Sequence, residues 1–433
     1  EAYVVDQRGD GPIKSAPRRK VRHFLKPYLA HASIGPSCAL AVWEGQTLRV
    51  LSHSQGVFNL RADLALVFGL PESAITVTHA EGAGCYGHNG ADDAALDAAL
   101  LARQVPGRPV RLRWSRADEL MRSPFGAAMA IEIAADLSQV GAITGWSHEI
   151  WSNGYVARPG RADRPALLAS FDLEKPFPLY ISQDPGLATG GGAQRNAVPL
   201  YDFPSWRIAK HRLLTMPLRT SSMRALGAFG NVFAIESMMD EIAHELGEDP
   251  LALRLRHLSD ERARAVLERA AAMAHWGRAE IREERGRGIA FARYKNSGAY
   301  CAIVAEIDLS TDPRATQLWI AVDVGEAINP DGVVNQIEGG AIQAASWTLK
   351  EEVAFTRAEV TSGSWESYPI LRFSEVPAVC VEVISRPELP PLGAGEAAQG
   401  PTAAALANAV HAALGVRVRQ MPITSDRIIA AME

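Results

Sequence analysis

An α+β fold of several lobes is what this 433-residue chain predicts, and three observations carry the reading. Strand-like runs crowd the stretch from residue 38 to 151. Helical runs crowd 230–275 and return at 331–350 and 401–414. Between them, residues 152–200 are rich in Gly, Pro, Arg and Asn with little periodicity, as long loops over a surface or cleft would be. Composition agrees: 47% of residues are hydrophobic and 21% charged. A globular chain of this length forms roughly two to three lobes or one large multi-lobed unit.

The elements follow in order. Period-two or β-branched runs predict strands at CALAVWE (38–44), TLRVLSH (47–53), AITVTHA (74–80), PVRLRWS (109–115), MAIEIAADL (129–137) and AITGWSHEIW (142–151). An amphipathic helix ending at Gly69 follows the second strand, and residues 91–105 form another. The segment LGEDPLALRLRHL fits two helices: Gly247 ends the first, Asp249 caps the second and Pro250 opens it. Helical runs cover 230–246, 250–258, 260–275, 331–350 and 401–414, with Pro401 as the first residue of the last. Divisions near 160 and 280 would give lobes 1–160, 161–280 and 281–433.

Several classes are disfavoured. The net charge is −5. The one basic run, PRRKVRHFLK (17–26), is short and terminal, so no nucleic-acid partner is expected. No apolar run approaches the ~18 residues of a membrane span. The sequence starts at Glu1, and nothing there resembles a signal peptide, which points to processing or to an upstream segment. Cys38, Cys85, Cys301 and Cys380 are far apart, with no CxxC or CxxCH, so no iron–sulfur cluster, structural zinc or c-type haem belongs to this chain. They read as reduced core residues, Cys85 being the one to question.

Four constellations could carry chemistry. In HAEGAGCYGHNGADDAALDAALLARQV (79–105), glycines 82, 84, 87 and 90 lie between a strand and a helix, where backbone N–H groups can approach an anion. The spacing is not GxGxxG and no Walker lysine follows, so a tight strand–helix turn accounts for it equally well. In SHSQGVFNLRADLALVFGLP (52–71), Gln55 precedes a small turn and is alone no more than a capping or surface residue. In PLRTSSMRALGAFGNVFAIESMMDEIAHELG (217–247), Arg224 stands between apolar residues and must snorkel or meet an anion. In PPLGAGEAAQGPTAAALANAV (390–410), Glu396 has no cation nearby in sequence. Gly393 and Gly395 leave the backbone free for positive φ, and the acid is either a solvated loop residue or a base with a raised pKa.

Their order is more specific than any one of them. A Gln turn, a glycine loop, an Arg-Ala-x-Gly segment, NPDGVVNQIEGGAIQ and a closing GxGE…ANAV resemble the molybdenum-binding large subunit of the xanthine dehydrogenase and aldehyde oxidase family, nearest its nicotinate dehydrogenase and isoquinoline 1-oxidoreductase branch. YLAHASIGP (28–36), GGGAQRNAVPLYDFP (190–204) and MDEIAHELGEDPLALRLRHL extend the likeness over nearly the whole chain.

The resemblance implies the multi-lobed, elongated, molybdenum-cofactor-binding fold of the xanthine oxidase type, with mixed sheets and packed helices. It implies a molybdopterin-type cofactor, the cytosine dinucleotide form included, held through its dithiolene with no side-chain metal ligand. Gln55 matches the glutamine that hydrogen-bonds the apical oxo group. Gly84, Cys85, Tyr86 and Gly87 fall on the loop beside metal and pterin. Arg224 matches an arginine near metal or substrate, Gln343 a pterin contact, and Glu396, preceded by Gly395, the catalytic base. The implied activity is hydroxylation with water as oxygen source, on an electron-poor carbon of an N-heteroaromatic such as a pyridine carboxylate or quinoline. Aldehyde oxidation is the alternative. Electrons would pass to 2Fe-2S clusters, and haem or FAD, in partner chains, in a bacterial cytoplasmic or membrane-associated complex.

The chain departs from the pattern at Cys85, where Phe is common, at HASIGP, which lacks the acid of the usual MEP, and in having no GxGQG segment. It reads as the second half of a large subunit, so a separate chain bearing GxGQG is an expected partner, with a small 2Fe-2S subunit and a further electron-transfer subunit. Two other classes compete. A nucleotide-binding protein built on the 82–90 loop lacks the Walker lysine and ribose acid, and a non-catalytic scaffold subunit would not need Gln55, Arg224 and Glu396.

Overall fold

A computed structural model describes residues 1–9, 18–82, 84–278 and 283–433. The chain runs β1 (Ala2–Arg8), β2 (Arg19–Lys26), β3 (Cys38–Glu44), β4 (Thr47–Ser52), α1 (Val57–Phe68), β5 (Ile75–His79), α2 (Ala91–Arg103) and β6 (Val110–Arg113). It continues α3 (Arg116–Arg122), β7 (Met129–Leu137), β8 (Ile143–Ser152), β9 (Trp206–Arg212), α4 (Ala228–Leu246), α5 (Pro250–Arg256) and α6 (Glu261–Met273). It closes with β10 (Arg285–Arg293), β11 (Tyr300–Asp308), β12 (Arg314–Asp323), α7 (Pro330–Leu349), β13 (Ala378–Val383), α8 (Gln399–Leu414) and α9 (Ser425–Ala430). This is the expected α+β class: three mixed sheets with helices packed on them.

The sheets run β1-β9-β8-β7-β2, β10-β11-β12-β13 and β5-β4-β3-β6. The division expected near residue 160 falls between β8 and β9, which pair in parallel within one sheet. One contiguous apolar core joins the first two sheets through α4, α6, α7 and α8. The third sheet has its own core beneath α1 and α2. Residues 152–200 hold no helix or strand beyond two short 3₁₀ turns, as their composition predicts.

The α4–α5 junction follows its sequence grammar. Gly247 adopts φ +66° at the end of α4. The Asp249 side chain accepts from Leu251 N at 2.9 Å and Ala252 N at 3.0 Å, and Pro250 starts α5. Pro401 is instead the third residue of α8, which begins at Gln399. Its missing N–H still falls in the first turn, where no intrahelical partner exists.

Residues 19–26 of the basic run form β2, and Arg19 and Arg22 pair with Asp136 and Glu241. The expectation of core cysteines is corrected. Of the cysteines only Cys301 is buried; Cys380 is exposed on β13, and Cys38 and Cys85 are half-buried.

α4 and α8 bring the site together. Every residue from Ala228 to Ala243 is buried, so the polar ones need partners. Asn231 donates to the carbonyls of Ala193 and Arg195, both at 2.8 Å, and Glu236 accepts from Arg254 at 2.8 Å. The alanine-rich α8 lies directly on β10. A Cβ on Gly288 would sit 2.2 Å from the Ala405 carbonyl oxygen, so only glycine permits this approach.

Candidate active site

Six segments converge on a cavity of about 960 Å³. The β4–α1 turn supplies Gln55. The β5–α2 loop supplies Cys85, Tyr86 and Gly87. The loops after β8 supply Arg158, Arg161, Tyr180, Gln183, Asp184 and Arg195. The segment before α4 supplies Ser222, Arg224 and Leu226, α7 supplies Gln336, and the loop before α8 supplies Glu396.

The glycine loop is fixed from behind. Gly87 has φ +127°, and its Cβ would lie 2.1 Å from the Ser222 carbonyl oxygen. His88 N donates to that same oxygen at 2.7 Å, and Arg224 N donates to Tyr86 O at 2.8 Å. The loop therefore runs as a short ladder against residues 222–224. The N-terminus of α2 is already supplied with anions. Buried Asp92 meets His88 Nε2 at 3.0 Å, and buried Asp93 accepts from Arg219 Nη1 at 3.0 Å. A nucleotide phosphate would compete with both carboxylates for that helix end.

Arg224 neither snorkels nor pairs with an acid. Nε and Nη2 donate to Gly395 O at 2.8 and 2.6 Å, Nη1 donates to Gln343 Oε1 at 3.2 Å, and Nη2 also donates to Gln336 Oε1 at 3.0 Å. With the Gln399 amide turned to suit its neighbours, its oxygen accepts from Arg224 Nε at 2.8 Å and its nitrogen donates to Glu396 O at 3.0 Å. Arg224 thus clamps the loop carrying Glu396 to α7. Gln343 lies behind this clamp, outside the cavity lining, and Gly84 turns its carbonyl to Ser33 Oγ at 3.3 Å.

Next to Arg224 the chain stores strain. Ala225 and Leu226 are consecutive non-glycine residues at φ +71° and +50°. The turn aims Ala225 N–H at Glu396 Oε1, 2.8 Å away. Neither Gly393 nor Gly395 has positive φ, contrary to expectation. Their role is carbonyl presentation: Gly393 O accepts from Ala299 N at 3.2 Å, and Gly395 O accepts from Arg224.

Sequence reasoning missed Tyr294, whose hydroxyl donates to Glu396 Oε2. It noted Arg195 only as part of a linking segment, yet Arg195 Nη1 lies 3.8 Å from Glu396 Oε2. Arg158 was missed as well. Nothing in the local pattern of ARYKNSG or YVARPG marks these residues, because their partners lie 64 to 102 positions away in the chain.

The cavity fits the group that the resemblance implies. Among the described residues the Gln55 amide has no hydrogen-bond partner although it lines the cavity. Arg158 makes one long contact, Nε to Ser222 Oγ at 3.4 Å. Arg158, Arg161, Arg195 and Arg224 face the same space. Free amide and guanidinium donors around a cavity of this volume suit a large, polar, anionic group.

Fold and cavity together suit a molybdopterin-binding chain. Residues 8–163 with 180–258, and residues 234–377, match models of the molybdopterin cofactor-binding domain, and the chain belongs to that family. It is 40% identical to a nicotinate dehydrogenase subunit of Pseudomonas putida, over 99% of this chain and 36% of that one. It is 30% identical to the beta subunit of isoquinoline 1-oxidoreductase of Brevundimonas diminuta, over 82% of this chain and 44% of that one. The chain therefore spans less than half the length of these curated relatives. Among solved structures it is similar to quinoline 2-oxidoreductase from Pseudomonas putida 86, with a TM-score of 0.80 at 16% identity, over 99% of this chain and 79% of that one. Aldehyde oxidoreductase from Desulfovibrio gigas gives 0.78 at 15%, over 100% and 63%. These two likenesses are of fold.

Proposed function

We propose that this chain is the catalytic molybdenum-cofactor portion of a hydroxylase that uses water to oxygenate an electron-poor carbon of an N-heteroaromatic substrate. The observation that carries the reading is the convergence of Gln55, Cys85–Gly87, Arg224 and Glu396 on one cavity. The named substrates of the relatives, nicotinate and isoquinoline, favour this substrate class.

When bound, the molybdenum cofactor supplies two-electron redox chemistry at the substrate carbon. The chain's residues do the rest. Glu396 holds a carboxylate at the cavity wall, with Oε1 on Ala225 N–H, and accepts a proton as the general base. Gln55 offers an unpartnered amide to orient a polar group. Arg224 keeps the 395–396 backbone in place, and Arg158 adds positive charge where negative charge develops. Cys85 and Tyr86 shape the wall beside the cofactor. Iron–sulfur, haem or flavin centres would reside in partner chains.

The test uses the complex loaded with molybdenum. Glu396→Gln keeps shape and removes the base, so turnover falls by at least ~10²-fold with metal content unchanged. Near-normal turnover in a loaded E396Q complex refutes the assignment. A panel of pyridine carboxylates, quinolines and aldehydes tests the substrate class. The aldehyde alternative keeps a specific basis in the fold likeness to aldehyde oxidoreductase, and activity on aldehydes alone would establish it.

A further inference from the structure

We propose that Tyr294 and Arg195 form a positioning relay for Glu396: the Arg195 guanidinium donates to the Tyr294 hydroxyl, which donates to the carboxylate and fixes it facing the cavity. This inference rests on the proposed role of Glu396.

The geometry is over-determined from both sides. Arg195 is buried, and its Nε and Nη2 donate to the carbonyls of Gly190 and Gly191 at 2.7 and 2.8 Å. Both glycines have positive φ, +93° and +67°. That leaves Nη1 for the Tyr294 hydroxyl. The Arg195 guanidinium carbon also lies 5.4 Å from the Tyr294 ring centroid.

Tyr294 stands at the head of a strained turn, with Lys295 and Asn296 at φ +57° and +54°. Asn196 holds that turn: Lys295 N donates to its Oδ1 at 2.8 Å, and its Nδ2 donates to Arg293 O at 2.8 Å. Tyr294 N donates to Ala299 O at 2.9 Å, and Ala299 N donates to Gly393 O. The Tyr294 turn and the Glu396 loop are therefore built as one unit.

The charge arrangement gives the relay a direction. Burial first, and then the Glu396 carboxylate, push the Tyr294 hydroxyl far above its ordinary range, so it stays a donor. The other charged groups facing Glu396 are Lys295 beside Tyr294, Arg224 across the 395 carbonyl, and Arg158 over the cavity. All are cations, yet among the described residues Tyr294 is the one side chain that donates a hydrogen bond to this carboxylate. Each bond in such a chain polarises the next, so the carboxylate is held by the relay and by Ala225 N–H together.

The experiment uses the cofactor-loaded complex with Tyr294→Phe, Glu396→Gln and the double variant. Y294F lowers kcat about 10- to 100-fold, as loss of a hydrogen bond to a charged group predicts, with KM little changed. Added to E396Q, Y294F has no further effect on turnover. A crystal structure of Y294F shows the Glu396 carboxylate released from its single position. An undiminished kcat in loaded Y294F, or an undiminished Y294F effect in the E396Q background, overturns the relay. Should Y294F load poorly, kcat of loaded Arg195→Lys carries the test, and an undiminished value there overturns it. If E396Q is fully active, the base assignment fails instead. The crystallographic arm then decides whether Tyr294 positions the carboxylate at all.

Discussion

Single atoms decide much of this site. Gly87→Ala places a Cβ 2.1 Å from the Ser222 carbonyl oxygen and 3.1 Å from Met223 Cα, backbone that cannot step aside. With φ at +127° strain adds to overlap, so the variant should lose about 3 kcal/mol or more of stability, together with bound molybdenum. Denaturant titration and metal analysis check this, and a fully loaded G87A of parental stability contradicts it. Lys26 is a different case. Its Nζ is buried with no carboxylate, donating to Ala127 O at 2.6 Å, and burial lowers its pKa from 10.5 to about 7. The unfolded chain keeps the proton up to about 10.5 and the folded chain releases it near 7. Between those values the unfolded state binds more protons, so the penalty is full below pH 7 and fades as pH rises. Tyr155 OH also donates to Ala127 O, at 2.9 Å, so Lys26→Met leaves that carbonyl satisfied. K26M should therefore be more stable by about 1–4 kcal/mol below pH 7, the gain vanishing toward pH 10. Thermal melts across that range test it, and a pH-independent gap refutes it. Residues of this kind also mark where the sequence was silent. Gln55, Arg224 and Glu396 stand in motifs whose order can be read along the chain. Tyr294 acts on Glu396 across 102 positions, and no local pattern encodes that distance.

At the scale of elements, legibility followed local chemistry. β3 to β8 alternate or carry β-branched runs and were found close to their observed bounds, as were α2 and α4 to α8. β1, β2 and β9 to β13 were not, and in β10 Gly286 and Gly288 interrupt the strand pattern. They are there so that the α8 backbone can approach. β2 hid behind charge: its arginines answer acids on β7 and α4, a fact invisible without the sheet. This contrast separates two variants. Asp249→Ala removes the α5 cap and the bond from Trp276 Nε1 at 2.8 Å, and should lose about 1–2 kcal/mol. Asp249 is outside the cavity lining, so turnover per bound molybdenum should stay level. Gly288→Ala drives a Cβ into the backbone of α8, whose first residue lies three positions after Glu396. A shift of ~1 Å at a reacting group can lower rate ~10²-fold, so G288A should lose both stability and turnover per metal atom. Equal turnover in the two loaded variants would show that α8 does not set the carboxylate's position.

For the whole molecule, the question is whether these residues suffice to hold the cofactor. Donors at the cavity include the unpartnered Gln55 amide, the weakly engaged Arg158 and the exposed Arg161. A pterin with its phosphate has polar edges on every side, and a buried polar edge needs a partner. No helix among the described residues is long and apolar enough to cross a membrane, so its large exposed side chains are not accounted for by such a span. Ile34, Phe58, Leu179, Ile328 and Phe373 are all exposed. Obligate partners cover exposed apolar side chains, typically with more than ~2,000 Å² of interface in total. The relatives similar to this chain carry the matching stretch as 36% and 44% of their own length. The chain expressed alone should therefore purify metal-free or poorly soluble. Co-expression with a polypeptide bearing the GxGQG segment should restore one molybdenum per complex, read by elemental analysis after gel filtration. Stoichiometric cofactor on the isolated chain, with turnover, would show that the pocket is complete as it stands and that the partner's role lies elsewhere.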